Sequence, residues 1–337
     1  MNVISKLVFV FVLASMLSAC STKIIQSPLV AVGLDSKGAM YVPSLEIDKR
    51  FIEADKLRLA SELAILSNNV YCDRTDLTLQ HCDNDTVLLQ VLGGWTPIKE
   101  VEIANPSKWY HLKNSRGMRM ETWKKKDIDG KEVAAIVIRG TVFNEIDDWY
   151  SNLRWITRIN PFVFDQYDQV RYNIRDIVKD LETSDRIIVT GHSLGGGLAQ
   201  QAAYASGRIK EVYAFDPSPV TGYFSVDSDE REKNKNEIKI NRIYEVGEVL
   251  GYIRGFMRNL SPIPKDNPKI VELGFNYDRG PAVSQHSIDY LASKLSEMYL
   301  KVKPSKVVFG TKASVETVSL NTKNIDTRDA TVTGQFQ

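Results

Sequence analysis

The residues best suited to chemistry lie in one glycine-rich segment, 189–197, of sequence VTGHSLGGG. It contains the pattern Gly-x-Ser-x-Gly, with apolar residues typical of a buried strand before it and small residues that suit a helix after it. A strand-to-helix turn this sharp leaves no room for a Cβ at the flanking glycines. The turn presents the serine hydroxyl and aims the next backbone N–H at the position of a developing oxyanion. The segment therefore predicts Ser193 as a nucleophile and Leu194 as an oxyanion donor.

A serine hydroxyl is a weak nucleophile at neutral pH and needs a base. The chain has four histidines, and the order expected along the chain for this turn is serine, acid, histidine. His81 and His111 precede the serine, and His192 sits inside the turn, where it is badly placed to take its neighbour's proton. His286 alone follows the serine, just before a helical pattern over 288–300, and we predict that it is the base.

Two carboxylates compete for the third position. Asp216, in the segment AFDPSP, follows the next predicted strand, and Glu248, in the segment YEVGEVL, follows the strand after that. Either side chain could orient the imidazole and stabilise its protonated form. We favour Glu248 and keep Asp216 as the alternative.

An earlier strand supplies a second candidate oxyanion donor. The run 133–138, VAAIVI, has little alternation, as expected for a strand buried on both faces. It leads into Arg139-Gly140-Thr141, where the N–H of Thr141 is suitably placed. This chemistry implies no metal and no organic cofactor.

The elements that position these residues follow from the spacing of apolar side chains. Strands are predicted over 86–92, 118–123, 132–139, 187–189, 212–215 and 240–246, and helices over 48–71, 170–181, 196–205 and 288–300. Asp129-Gly130 indicates a hairpin turn. The alternation of strands and helices predicts an α/β fold with a mostly parallel sheet. The charged segment 227–239 is predicted to be a solvated excursion between strands.

The N-terminus predicts export and lipid attachment. Lys6 precedes an apolar run over 7–17, which is too short to span a bilayer and is typical of a signal peptide. Residues 17–20, LSAC, resemble the lipobox of bacterial lipoproteins, in which the cysteine is acylated. We predict a signal peptide over 1–19 and lipid on Cys20. Ser21 in place of Asp favours the outer membrane, by resemblance to Gram-negative sorting, with the domain in the periplasm or at the cell surface.

Two further observations limit the partners and the compartment. Cys72 and Cys82 could close a small disulfide loop in an oxidising compartment, and they are too sparse for a zinc site. Lys plus Arg number 43 against 42 for Asp plus Glu, so no basic excess indicates nucleic acid. The expected partners are a lipid or other ester substrate and a membrane.

Together these residues resemble the lipase class 3 family, the fungal-type triacylglycerol lipases. The shared marks are Arg-Gly-Thr at 139–141, Asp-Trp at 148–149 and Gly-His-Ser-Leu-Gly-Gly at 191–196. The resemblance covers about residues 50–300 and implies an α/β-hydrolase fold, with Ser193 and His286 in a triad. It also implies Thr141 and Leu194 as oxyanion residues. Composition without periodicity indicates a tether over 20–44 and a polar extension over 306–337, so we expect the hydrolase domain over 45–305.

The chain departs from the family at the acid. That family usually has Asp where Glu248 falls, whereas Phe215-Asp216-Pro217 resembles the acid loop of pancreatic-type lipases, so both candidates stay open. The segment after Arg-Gly-Thr often forms a lid in such lipases. It could be a lid or core here, because it is rich in large apolar residues, namely Trp149, Tyr150, Leu153, Trp155 and Ile156.

The leading functional prediction is a membrane-tethered serine esterase or lipase that acts through an acyl-enzyme. A phospholipase, a thioesterase or a polyester hydrolase would use the same triad, and pocket shape would distinguish them. From another class, the chain could be a surface lipoprotein that kept the fold and lost turnover.

Overall fold

The computed structural model describes residues 32–34, 40–41, 54–72, 91–101, 113–114, 118–140, 163–164, 166–245, 247–251, 269–275 and 280–302. The strands in these ranges are β1 (Val32–Leu34), β2 (Met40–Tyr41), β3 (Thr96–Glu100), β4 (Lys113–Asn114), β5 (Met120–Lys126), β6 (Glu132–Ile138), β7 (Val163–Phe164), β8 (Arg186–His192), β9 (Ile209–Phe215), β10 (Lys239–Glu245) and β11 (Lys269–Phe275). Nine of them form one sheet in the order β2-β1-β11-β10-β9-β8-β6-β5-β3, while β4 and β7 pair separately.

The centre of the sheet is parallel and its margins are antiparallel. Strands β6, β8, β9, β10 and β11 pair in parallel, whereas β3, β5 and β1 join in antiparallel pairs. Strand β6 shows why its sequence does not alternate between polar and apolar residues. Val133, Ala135 and Val137 belong to one buried cluster, while Ala134, Ile136 and Ile138 belong to the cluster on the opposite face. Both faces of this strand are covered, as the sequence predicted.

Helices cover the two faces of the sheet. They are α1 (Ala54–Asn69), α2 (Gln166–Asp180), α3 (Leu194–Tyr204), α4 (Ser228–Lys235) and α5 (Ile288–Val302). Helices α1 and α5 pack against each other and supply one apolar cluster, and α2 and α3 supply the other. This is the α/β-hydrolase fold, with a mostly parallel sheet flanked by helices, as predicted. No helix within the described ranges has the length and apolar character needed to cross a membrane.

This topology brings four loops to one edge of the sheet. Strands β6, β8, β9 and β10 are parallel neighbours, so the loops that follow them emerge on the same side. Those loops carry Gly140, Ser193, Asp216 and Glu248. The fold therefore gathers the predicted site residues that lie in the described ranges.

One prediction made from local pattern was wrong. Of the strand predicted over 86–92, Val91 is helical and Leu92 lies in a bend, while 86–90 fall outside the described residues. The nearby strand is β3, a mostly exposed edge strand that contains Pro97, so it lacks the apolar pattern of a buried strand. The charged segment 227–239 is mostly exposed and lies between β9 and β10, as predicted. It also holds helix α4, because the carboxylate of Asp227 accepts the N–H groups of Asp229 and Glu230 and so caps it.

The tether predicted over 20–44 also differs from the structure at five residues. Strand β1 pairs antiparallel with β11, and β2 pairs with β1, so both belong to the main sheet. The sequence gives little sign of this pairing, because strands of two and three residues are too short for a period of two to be visible. The remainder of the tether, and the extension over 306–337, lie outside the described residues.

A buried ionic cluster fixes α1 to the sheet. The carboxylate of Glu62, on α1, accepts hydrogen bonds from the ammonium of Lys125, on β5, from Nε1 of Trp95 at 2.9 Å, and from Nη1 of Arg58 at 2.9 Å. Glu62 and Lys125 are almost fully buried. Burial lowers the pKa of Lys125, and the neighbouring Glu62 charge opposes that shift. Glu62 is therefore the partner that makes a buried lysine tolerable.

We expect Glu62→Ala to lower the free energy of unfolding by about 3 kcal/mol, because it leaves a buried ammonium without its counter-charge. Urea unfolding at neutral pH measures this loss. Lys131→Ala is the control, since it removes one partner of an exposed pair with Asp129 and should leave the midpoint unchanged. Equal midpoints for the two variants would contradict the assigned role of Glu62.

Candidate active site

Ser193 occupies a strained turn between strand β8 and helix α3. Its φ of 58° lies in the left-handed region that residues other than glycine rarely adopt. Hydrogen bonds hold this backbone in place: its N–H donates to the carbonyl of Phe215 at 2.9 Å, and its carbonyl accepts from the N–H of Ser218 at 2.9 Å. The strain is thus maintained by the strand beside it, as is common at functional turns.

The glycine after the turn permits a very close backbone approach. A Cβ on Gly195 would lie 2.2 Å from the carbonyl oxygen of Ile138, at the end of β6. A Cβ on Gly140 would likewise lie 2.6 Å from the carbonyl oxygen of His192. Neither position can hold a larger residue without moving the backbone. The loop after β6 therefore lies directly against the turn that carries Ser193.

Of the two predicted oxyanion residues, Leu194 lies within the described residues and Thr141 does not. Leu194 is the first residue of α3, so its N–H is one of those that a helix does not bond internally, and it lies at the positive end of the helix dipole. Thr141 lies outside the described residues, although its neighbour Gly140 lies against the turn. The segment predicted as a lid or core, which contains Trp149 and Trp155, also lies outside them.

His286 forms a short hydrogen bond with Glu248. His286 ends a 3₁₀ turn just before α5, and its Nδ1 lies 2.8 Å from Oε2 of Glu248. The carboxylate is fully buried, and the same oxygen accepts the N–H of Leu250 at 2.7 Å. A carboxylate accepts, so the ring donates from Nδ1 in this hydrogen bond. The N–H of Leu250 therefore holds the same carboxylate oxygen that contacts the histidine.

His192 connects the loop that carries His286 to the turn that carries Ser193. Its Nε2 lies 3.1 Å from the carbonyl oxygen of His286, and the two rings lie 4.7 Å apart. Burial, together with the nearby His286, holds the pKa of His192 well below its usual range, so the ring is neutral. With Nε2–H donating to that carbonyl, Nδ1 is the acceptor. The structure therefore makes His192 a bridge between the two loops.

Tyr71 extends this bridge to the loop after β6. Its hydroxyl accepts the N–H of Gly140 at 3.1 Å and lies 3.3 Å from Nδ1 of His192, to which it can donate. Burial raises its pKa, so the hydroxyl keeps its proton. Sequence reasoning missed Tyr71, because it lies 69 residues before Gly140 and belongs to no motif. Its neighbour Cys72 is disulfide-bonded, while Cys82, its predicted partner, lies outside the described residues.

The second candidate acid lies elsewhere in the same cluster. Asp216 is fully buried, and its Oδ1 accepts the N–H of Glu245 at 2.8 Å. Its Oδ2 lies 3.9 Å from Nε2 of His192. Ligand-type atoms of His192, Asp216 and His286 all lie within 4.8 Å of one another. A zinc site needs three or four such ligands, but both ring nitrogens of His192 already have hydrogen-bond partners, the His286 carbonyl and the Tyr71 hydroxyl.

Comparisons with known proteins place this site in a family. Residues 62–250 match the model of the phospholipase-like family described as the Tle-like phospholipase domain. An extracellular phospholipase A1 of Serratia liquefaciens is 36% identical over 83 residues, which are 24% of this chain and 23% of that protein. The chain thus matches about a quarter of the length of this curated relative.

Two solved lipases are similar to this chain at a low level. The Rhizomucor miehei lipase in its native propeptide complex is 15% identical, with a TM-score of 0.34, over 66% of this chain and 68% of its own. The nonglycosylated LIP2 lipase of Yarrowia lipolytica is 15% identical, with a TM-score of 0.37, over 59% and 75%. Likenesses of this size carry no inference about activity.

The resemblance to class 3 lipases predicted the lipase-like character, whereas the matched family is named for phospholipases. The match covers more than half of the chain and includes both the turn and Glu248. On that evidence this chain belongs to the phospholipase-like family of Tle-like phospholipase domains.

Proposed function

We propose that this chain is a serine hydrolase that cleaves the acyl ester bonds of phospholipids, with Ser193, His286 and Glu248 as its triad. The observation that supports it most is the 2.8 Å contact between His286 Nδ1 and Glu248 Oε2, held beside the strained turn of the serine. A histidine whose Nδ1 is held by a buried carboxylate presents Nε2 as a base.

The proposed reaction follows from these positions. His286 Nε2 removes the proton of the Ser193 hydroxyl while its oxygen attacks the ester carbonyl. The N–H groups of Leu194 and Thr141 stabilise the negative oxygen of the tetrahedral intermediate. As the ester C–O bond breaks, His286 returns the proton to the leaving alcohol, and Ser193 carries the acyl group. Water then attacks the acyl-enzyme with the same base, which releases the fatty acid and restores the hydroxyl.

The choice of phospholipid rests on the family match and on the relative named as a phospholipase A1. A triacylglycerol, thioester or polyester substrate would use the same chemistry. An inert surface lipoprotein is the outcome that absence of turnover would favour.

We expect full-length protein in detergent micelles to react with a fluorophosphonate at Ser193. Ser193→Ala should abolish labelling, and His286→Ala should slow it by roughly 10³-fold or more, since the hydroxyl loses its base. Tyr299→Phe, a change on α5 away from the turn, is the control and should label at the wild-type rate. A folded wild type that does not label would overturn the proposal in favour of an inert scaffold.

The same preparations decide the substrate class. Fatty acid release is followed from phosphatidylcholine vesicles, from a triacylglycerol emulsion and from an acyl thioester. We expect the vesicles to give the highest kcat/KM, with loss of activity in Ser193→Ala. A preference for the emulsion would instead make the chain a triacylglycerol lipase with the same triad.

Tyr71 would serve the proposed reaction by position. Its hydroxyl joins the loop that leads to Thr141 with the turn that carries Ser193 and Leu194, through the contacts with Gly140 and His192. The spacing between the two oxyanion donors therefore depends on this hydroxyl. A shift of a few tenths of an ångström between donors weakens binding of the transition state more than binding of the ester.

Tyr71→Phe should consequently lower kcat about tenfold with little change in KM, because it removes the hydroxyl and keeps the ring. Steady-state hydrolysis of phosphatidylcholine in mixed micelles measures both constants. Tyr223→Phe is the matched control, since it removes a hydroxyl that bonds Glu232 at 2.7 Å, remote from the turn. A rise in KM at constant kcat, or an equal loss in both variants, would count against this role for Tyr71.

We also propose that the chain is a bacterial lipoprotein, anchored to the envelope through lipid on Cys20. The support is the apolar run over 7–17 followed by LSAC at 17–20. An anchor of this kind would hold the domain beside a lipid substrate, in the periplasm or at the cell surface.

Cells that express the chain and are fed radioactive palmitate should yield a labelled protein that fractionates with the outer membrane. Cys20→Ser should lose the label and the membrane fractionation, because the acylated thiol is gone. Cys72→Ser, which leaves the lipobox intact, should keep the label. Label retained in Cys20→Ser would refute the anchor.

A further inference from the structure

Asp216 is a buried carboxylate beside the base that the proposed triad does not use. We propose that Asp216 is a positioning residue that stabilises protonated His286 from the side of strand β9. Two carboxylates, Glu248 and Asp216, would then stabilise the protonated ring, where a triad normally uses one. This inference rests on the proposed triad. It concerns a second acid, so its test can fail while the triad stands.

The backbone of Asp216 is strained in the manner of the nucleophile. Its φ is 39°, and among the described residues Ser193 and Asp216 are the two non-glycine residues with positive φ. Two bonds hold it: its N–H donates to the carbonyl of Ile243, and its Oδ1 accepts the N–H of Glu245, each at 2.8 Å. Strain that persists only because neighbours enforce it is concentrated at functional positions. Here it holds the carboxylate close to both histidines, with ligand-type atoms of the three side chains within 4.8 Å of one another.

Two carboxylates, those of Glu248 and Asp216, lie near the ring of His286. Glu248 faces the ring from the loop after β10, at 2.8 Å. His192 faces it from the end of β8 and is neutral, and Tyr71, two residues after α1, contacts His192. Asp216, after β9, brings a carboxylate oxygen within 4.8 Å of a ring nitrogen. At such a distance away from water, opposite charges attract strongly.

The reaction supplies the cation that this arrangement suits. When His286 takes the serine proton, its ring becomes positive between the carboxylates of Glu248 and Asp216. Asp216 has no solvent exposure, so little water weakens the interaction. Oδ2 of Asp216 also lies 3.9 Å from Nε2 of His192, the ring that contacts the backbone of His286. Loss of either carboxylate should thus be partly compensated by the other.

Hydrolysis of phosphatidylcholine by Asp216→Asn, Glu248→Gln and the double variant tests this sharing. We expect kcat/KM to fall about tenfold and about a hundredfold in the single variants, and by more than the product of the two in the double variant. Replacing a lone orienting carboxylate by its amide costs about 10⁴-fold in kcat in a known triad. A loss near 10⁴-fold in Glu248→Gln alone would therefore overturn the proposal, and this variant leaves Asp216 untouched should Asp216→Asn fold poorly.

The pH–rate profile separates an electrostatic role from a structural one. Removal of a nearby negative charge makes protonation of His286 less favourable, so the midpoint of the acidic limb of kcat/KM should move to lower pH in Asp216→Asn, by about half a unit to one unit. Asn can keep the bond from the Glu245 N–H. Asp227→Asn is the matched control, because that carboxylate also accepts backbone N–H groups but caps α4, and it should leave the limb unchanged.

The remaining outcomes are also decisive. Single losses that simply multiply in the double variant, with an unmoved acidic limb, would overturn the proposal and leave Asp216 a structural residue. Inactivity in Asp216→Asn with full activity in Glu248→Gln would overturn it too, and would make Asp216 the sole acid. Failure of the wild type to label at Ser193 would refute the proposed function itself, which is a different result from any of these.

Discussion

The close contact between the end of strand β6 and the start of helix α3 is the constraint on which the site depends. Glycine at 195 lets the carbonyl of Ile138 approach to a distance that any Cβ would prevent. Because the two backbones touch there, the loop after β6 reaches the turn that holds Ser193, and a single hydroxyl, that of Tyr71, can contact both. A larger residue at 195 would separate the donors of the proposed oxyanion site before it disturbed the core.

The parts of the fold that the sequence predicted are those where a local pattern coincides with the long-range environment. Strand β6 was recognisable because both of its faces are covered by helices, which requires apolar residues at every position. The turn around Ser193 was recognisable because its geometry demands glycine. Strand β3 was missed because an exposed edge strand with Pro97 has no such requirement. The two short strands of the predicted tether, β1 and β2, are defined by their partners across the sheet and have no pattern of their own.

The order of residues along the chain predicted Asp216 and Glu248 as candidate acids, but it did not distinguish between them. Strands β9 and β10 are parallel neighbours, so the loops after both end at the same edge and either could reach the histidine. What distinguishes Asp216 from Glu248 is local hydrogen bonding: Asp216 is fastened to Ile243 and Glu245 at its strand end, while Glu248 lies in the following turn, with Oε2 on the N–H of Leu250 and on His286. Such bonds depend on backbone direction, which composition and spacing do not encode. Tyr71 was inaccessible for the same reason.

The buried carboxylates of the site are tolerable because each accepts a hydrogen bond from a backbone N–H group. Glu248 and Asp216 each accept a backbone N–H, and His192 stays neutral through burial, so no charge relies on solvent. Fixed dipoles of this kind need no rearrangement when the proposed base, His286, becomes positive, which is the condition under which electrostatic stabilisation is most effective. They come from the end of β10 and from the turn after it, while the proposed base lies just before α5. The site therefore forms only when these separate segments pack together, so stability and the proposed reactivity depend on the same packing.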